Sequence, residues 1–219
     1  MAALTFPLAT EDLVELMMVE TVTWSLSETQ EFSGLGSGEW IARDLAPRLW
    51  AADIASVVMD VDSTEALRAR FNALDGAIQS FYLYDPRRPG PATDPAGTIL
   101  AGAAVTLSVI ADNRKEITLA GVPAGLLLPA GTRLSVTAGN PSRTAYLQLV
   151  ASVTAGGGGL AGPVEVRPHL RPWLVTGQPV RLVKPVAKVK LVPKSLAVTP
   201  VGTVLARLRA SVRQTLAAG

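Results

Sequence analysis

With 219 residues, 48% of them apolar and 17% charged, the chain carries enough apolar surface for one large or two small cores, which excludes bulk disorder. It has no cysteine and one histidine, His169, so disulfides, thiolate metal sites and cysteine nucleophiles are excluded, and a histidine-rich metal site or a serine–histidine triad lacks its parts. The net charge of +2 hides two opposite halves: residues 1–96 hold fifteen acidic and six basic side chains, a balance of −9, and the remainder holds three and fourteen, a balance of +11. A basic surface for a polyanion, an acidic surface docking on the basic surface of the next copy, and two solvated faces all fit this polarity. Aromatics do not interleave the basic stretch, so the stacking half of a single-strand binder's signature is missing.

In chain order, Met1 to Thr10 lacks the basic flank and apolar run of a secretory signal. Thr10 is placed to cap a short helix through Leu13, Leu16 and Met17. From Val19 the period changes to two, with Val22, Trp24 and Leu26 on one strand face and Thr21, Thr23 and Ser25 on the other. Gly34, Gly36 and Gly38 then mark a mobile or tightly turned loop over 32–39, without the spacing of a nucleotide-binding loop. Ile54 to Val61 reads as strand, and Asp62, Ser63, Thr64 and Glu65 announce a helix over 64–79, whose apolar line is Leu67, Phe71, Leu74 and Ile78. Phe81 to Asp85 follows as an aromatic strand stopped at Pro86.

A proline-rich stretch after Pro86 reads as a domain boundary. Beyond it, short alternating runs over 95–168 predict a small β-barrel or sandwich. Gly156 to Gly159 reads as a hairpin tip, with a phosphate cradle as the lesser alternative. The longest uncharged run, 145–164, contains those four glycines, which a membrane helix would not choose, so no membrane insertion is expected. After a link at Arg167–Pro172, Val180–Leu182 and Ala187–Leu191 alternate apolar with cationic residues, and Lys188 and Lys190 would either form a basic stripe or protect an edge strand. Finally, Val204 or Leu205, Leu208, Val212 and Leu216 fall at helical spacing, predicting a basic helical extension over 196–219.

The search for chemistry finds no constellation. Asp60 and Asp62 share a strand face, but a strand end followed by a helix cap explains both. Serines lie outside any Gly-x-Ser-x-Gly motif, and His169 sits in an arginine–proline link as an unpaired surface imidazole. Met17, Met18, Leu13 and Leu16 read as a core-facing turn rather than a docking stripe. Trp40, Trp50 and Trp173 read as anchors packing loops onto sheets. No enzymatic activity, metal or cofactor is expected.

The order of features resembles the distal tail proteins of long-tailed bacteriophages and gene-transfer-agent-like particles. The resemblance spans about residues 19–192 and rests on Trp50, Phe81, Tyr84, Asp85, Pro86, Gly131, Arg143, Tyr146, Pro168 and Leu170, each within its local motif. It departs at Thr132, where the family pattern has an aspartate, and after Pro200. The resemblance implies a mainly β chain with one or two helices (α+β): a tail-tube-like β-sandwich from 1–88 and 172–195, with 95–168 inserted as a small barrel.

It also implies a non-enzymatic structural virion protein at the tail tip, assembled in the bacterial host cytoplasm. Its partners would be its own copies in a hexameric ring, the tail tube protein above, the hub or baseplate protein below and the tape-measure protein, with DNA only as passing cargo. Arg167, Arg171, Arg181, Lys184, Lys188, Lys190 and Lys194 are the expected interface cations. The rival readings are a binding module whose barrel recognises nucleic acid or host-surface carbohydrate, and a tail-associated peptidase or glycan hydrolase.

Overall fold

A computed structural model describes residues 4–217. Seventeen strands and one helix follow one another as β1 (Val19–Leu26), β2 (Gln30–Gly34), β3 (Trp40–Asp44), β4 (Trp50–Ser56), β5 (Met59–Asp60), α1 (Val61–Asn72), β6 (Phe81–Leu83), β7 (Thr106–Ile110) and β8 (Glu116–Ala120). Then come β9 (Leu127–Leu128), β10 (Arg133–Ala138), β11 (Arg143–Leu149), β12 (Val153–Thr154), β13 (Ala161–Arg167), β14 (Val180–Arg181), β15 (Ala187–Leu191), β16 (Ala197–Val201) and β17 (Leu205–Gln214). The chain is therefore mainly β with a minor helical part, as its Val-rich, turn-broken sequence requires.

The first lobe is a seven-stranded antiparallel sheet in the order β1-β4-β17-β15-β6, with β5 and β16 also paired to β17. Its inner face is supplied by alternate residues, Val22 on β1, Ala52 and Ile54 on β4, Leu208, Ala210 and Val212 on β17, and Phe81 and Leu83 on β6. Onto that face pack Leu67 and Phe71 of α1, with Phe71 edge-on to Phe81 at 6.1 Å, and Leu13, Val14 and Met17. Asp60 caps α1 by accepting the Ser63 N–H at 2.8 Å, which holds its carboxyl below the ordinary aspartate value. That accounts for Asp60 as a structural residue.

Three expectations for this lobe change. Residues 10–18 form successive turns rather than a helix; Leu13 and Met17 reach the core while Leu16 and Met18 stay exposed. The helix ends at Asn72 because the chain turns left-handed at Asp75 and Gly76, at φ 49° and 68°, and so Ile78 is exposed. The helix expected over 196–219, of which 218–219 lie outside the described residues, is instead the hairpin β16–β17, and β17 lies in the middle of the sheet. Leu208 and Val212 are four apart, a spacing that fits one helical turn and also two strand repeats; Ala210 between them and Ala206 before them, both buried, decide for the strand.

In the second lobe, six strands run β14-β10-β11-β13-β8-β7, with the small β9–β12 pair beside them. Strand pairing does not close this sheet into the expected barrel. Its two ends are joined instead through the segment before β14: Leu107 donates to Gln178 O, Gly177 donates to Leu107 O, and Val180 donates to Val105 O. Residues 174–182 thus belong to the second lobe, where Leu174, Val180 and Leu182 are buried in its core, and the chain returns to the first lobe at β15, followed there by β16 and β17. Gly156–Gly159 forms a tight turn in which two amides bond locally, Gly159 to Gly156 O and Gly156 to Leu160 O, and the strands on either side, β12 and β13, pair with other strands and not with each other as a hairpin would.

Side chains from both lobes meet at the junction. Trp24 and Trp50 of the first sheet pack on Tyr146 of β11, at 4.9 and 5.9 Å between ring centroids, and the Trp50 indole donates to Tyr146 O. The Arg133 guanidinium lies over all three rings, 5.3–5.9 Å from their centroids, and 3.7 Å from the buried Asp85 carboxylate. A desolvated cation with a carboxylate and three π faces holds the lobes in one register.

Candidate functional site

β2 and β3 pair only with each other, forming a hairpin arm outside the two main sheets. The Gly-rich segment read as a loop is the tip of this arm, closed by Leu35 N–H to Glu39 O, with Gly38 at φ 85° supplying the left-handed turn. Register places Phe32 opposite Ala42 and Gly34 opposite Trp40, so both aromatic rings share one face and meet edge-on at 6.2 Å. That face is bare, with Phe32 53% and Trp40 76% exposed; Ile41 on the other face and Leu35 and Leu45 beyond the paired strands are exposed too. Trp40 is therefore not the loop anchor expected of it, whereas Trp50 is buried and Trp173 packs on the second core.

At the root of the arm a cleft of about 490 Å³ opens between the lobes. Asp44, Pro47 and Arg48 line it from the arm side, and Arg167, His169 and Arg171 from the second lobe. Arg48 reaches Asp44 only at 3.8 Å, while Arg167 is held by Glu165 at 2.5 Å. Arg171 is half-buried and donates to Arg48 O at 2.9 Å, and no carboxylate among the described residues lies within ion-pair distance of it. Desolvation lowers the Arg171 pKa; partial desolvation, followed by the charges of Arg167 and Lys115, holds His169 below its ordinary value. The Arg171 shift reports burial alone, and in that of His169 the nearby cations add to burial while Glu165 opposes them.

The remaining expected interface cations are scattered. Lys184 is tied to Glu15 at 3.0 Å and stands 5.2 Å from the Tyr84 ring centroid; the Glu15 hydrogen bond raises its pKa. Arg181 and Lys194 are exposed, and Arg181 donates to Val183 O. Lys190 lies opposite Arg213 on the outer face of the first sheet. Lys188 is a correction: it is buried, its ammonium bonds Ala217 O at 3.1 Å, and desolvation lowers its pKa. A buried ammonium spent on the chain's own carbonyl is not available to a neighbour.

Of the motif residues, Trp50, Phe81, Tyr84, Asp85, Tyr146, Pro168 and Leu170 are buried, Pro86 is partly covered, Arg143 is exposed, and Gly131 has φ 85°. Sequence reading missed the arm's exposed face, Arg48, and Arg133 as the junction cation. Glu31-Phe32-Ser33 alternates but Trp40-Ile41-Ala42 is an unbroken apolar run, so only half of the arm left a strand signal in the sequence. No helix among the described residues is long and apolar enough to cross a membrane. Comparison with protein-family models and with curated proteins finds no match to this chain.

Proposed function

We propose that the chain is a structural subunit whose copies assemble head-to-tail into a ring at the distal end of a bacteriophage tail tube, joining the tube to the hub or baseplate. The observation that carries this reading is the arm. An isolated two-stranded hairpin is at best marginally stable in water, and this one holds two large aromatics into solvent. A surface on the next copy would bury that face, and an arm passed on to the next copy, not exchanged reciprocally, is a head-to-tail contact of the kind that builds a ring where the rotation closes. The opposite charge balance of the two ends of the chain supports the same arrangement.

The sheet order adds support, since a β-sheet lobe interrupted in sequence by a second β lobe agrees with the architecture that the sequence resemblance implies. The rival reading, a second lobe that recognises carbohydrate or nucleic acid, has less behind it. That lobe's two aromatics are Tyr146, buried at the junction, and Trp173, packed on the core, which leaves no bare stacking platform.

Gold-labelled antibody against this chain, applied to intact tailed particles in negative stain, tests the placement. Label confined to the tail tip is the expected result; label on the capsid, or particles free of label, contradicts it.

A further inference from the structure

Resting on the ring reading, we infer that the cleft at the root of the arm is the receiving site for the arm of the neighbouring copy, taking the Glu31 and Glu39 carboxylates on Arg48 and Arg171. The cleft gathers three guanidiniums: Arg167 is paired with Glu165, Arg48 has only the distant Asp44, and Arg171 has no carboxylate within ion-pair distance among the described residues. Holding like charges together in a half-buried place is unfavourable unless an anion completes it, and the planar guanidinium suits a carboxylate through paired hydrogen bonds.

The arm carries the complementary groups. Glu31 and Glu39 are exposed, form no ion pair among the described residues, and lie on the face of the arm opposite Phe32 and Trp40, with Glu31 across from Arg43. The cleft's lining is likewise mixed, with Leu45, Pro47 and Pro168 beside the cations. Each five-residue arm strand extends about 17 Å, enough to leave its own lobe. Because the receiving cleft lies at the base of the recipient's own arm, seating one arm orders the root of the next, and the contact propagates around the ring.

A double-mutant cycle on the full chain tests the pairing. Glu31→Gln/Glu39→Gln and Arg48→Gln/Arg171→Gln are each compared with wild type by mass photometry over a dilution series, with thermal melts checking that each folds. Either pair alone weakens self-association about tenfold, and the combination is no weaker than either pair, since the same contact is lost only once. Additive losses, or self-association unmoved by either pair while Trp40→Ser abolishes it, overturn the pairing and leave the ring reading standing. Unchanged self-association together with loss of binding to a labelled single-stranded oligonucleotide in the arginine variant assigns the cleft to phosphate and also overturns it. A wild-type chain that stays single at every concentration overturns both readings.

Discussion

Arg133 is the residue on which the two lobes depend most. Its side chain is 19% exposed and Asp85's is 5%, so removing the cation leaves a carboxylate in the junction with Arg87 as its other neighbour, through a backbone N–H bond and a guanidinium at 3.6 Å. Arg133→Met therefore lowers the unfolding free energy by about 3 kcal/mol, measured by urea titration. Tyr146 gives a second, pH-dependent handle. Burial pushes its phenol up to about 12, partly countered by Arg133, whereas in the unfolded chain it ionises near its ordinary value of 10.0. Since the folded state keeps the proton that the unfolded state loses, stability holds below pH 10 and declines as the pH rises toward 12. In Tyr146→Phe that alkaline decline is shallower than in wild type, as a pH series of melts would register. The sequence supplied Tyr146, Trp50 and Asp85 as motif residues. It gave no sign that Arg133 would stack on the rings, because contacts between positions 24, 50, 85, 133 and 146 depend on the tertiary fold.

At the scale of elements, strands with clean alternation and a single inner face were legible from sequence, as Val22, Trp24 and Leu26 show on β1. Elements whose pattern satisfied two periods were not. β17 is the plainest case: a helix would set Leu208 and Ala210 on opposite sides, whereas the strand buries both against the first core. Ala210→Asp is thus expected to destabilise the lobe about as much as Leu208→Asp, by roughly 3–5 kcal/mol, while Arg209→Asp is tolerated. Chemical denaturation of the three variants separates strand from helix. The arm escaped sequence reading for a different reason. Its apolar residues have no inner face to pattern against, so Phe32, Trp40 and Ile41 look like strand residues only once their cross-strand partners are known.

For the molecule as a whole, the account joins two properties that a solitary protein would not keep together: an apolar arm held into solvent and an arginine cleft short of counter-charges. Each is unfavourable alone, and each is relieved by the same surface on another copy. The rigid junction between the lobes gives that exchange its geometry, since it fixes the arm's root and the cleft in one frame. Charge balance hinted at this in the sequence, but only the fold brings Arg48, Arg167 and Arg171 to one place from positions far apart in the chain. The most direct test is the native mass of the purified full chain beside its Phe32→Ser/Trp40→Ser variant. The account predicts a closed multiple of the 22.9 kDa chain for the wild type and a single folded chain for the variant; a wild type that remains one chain, or a variant that assembles as the wild type does, would contradict it.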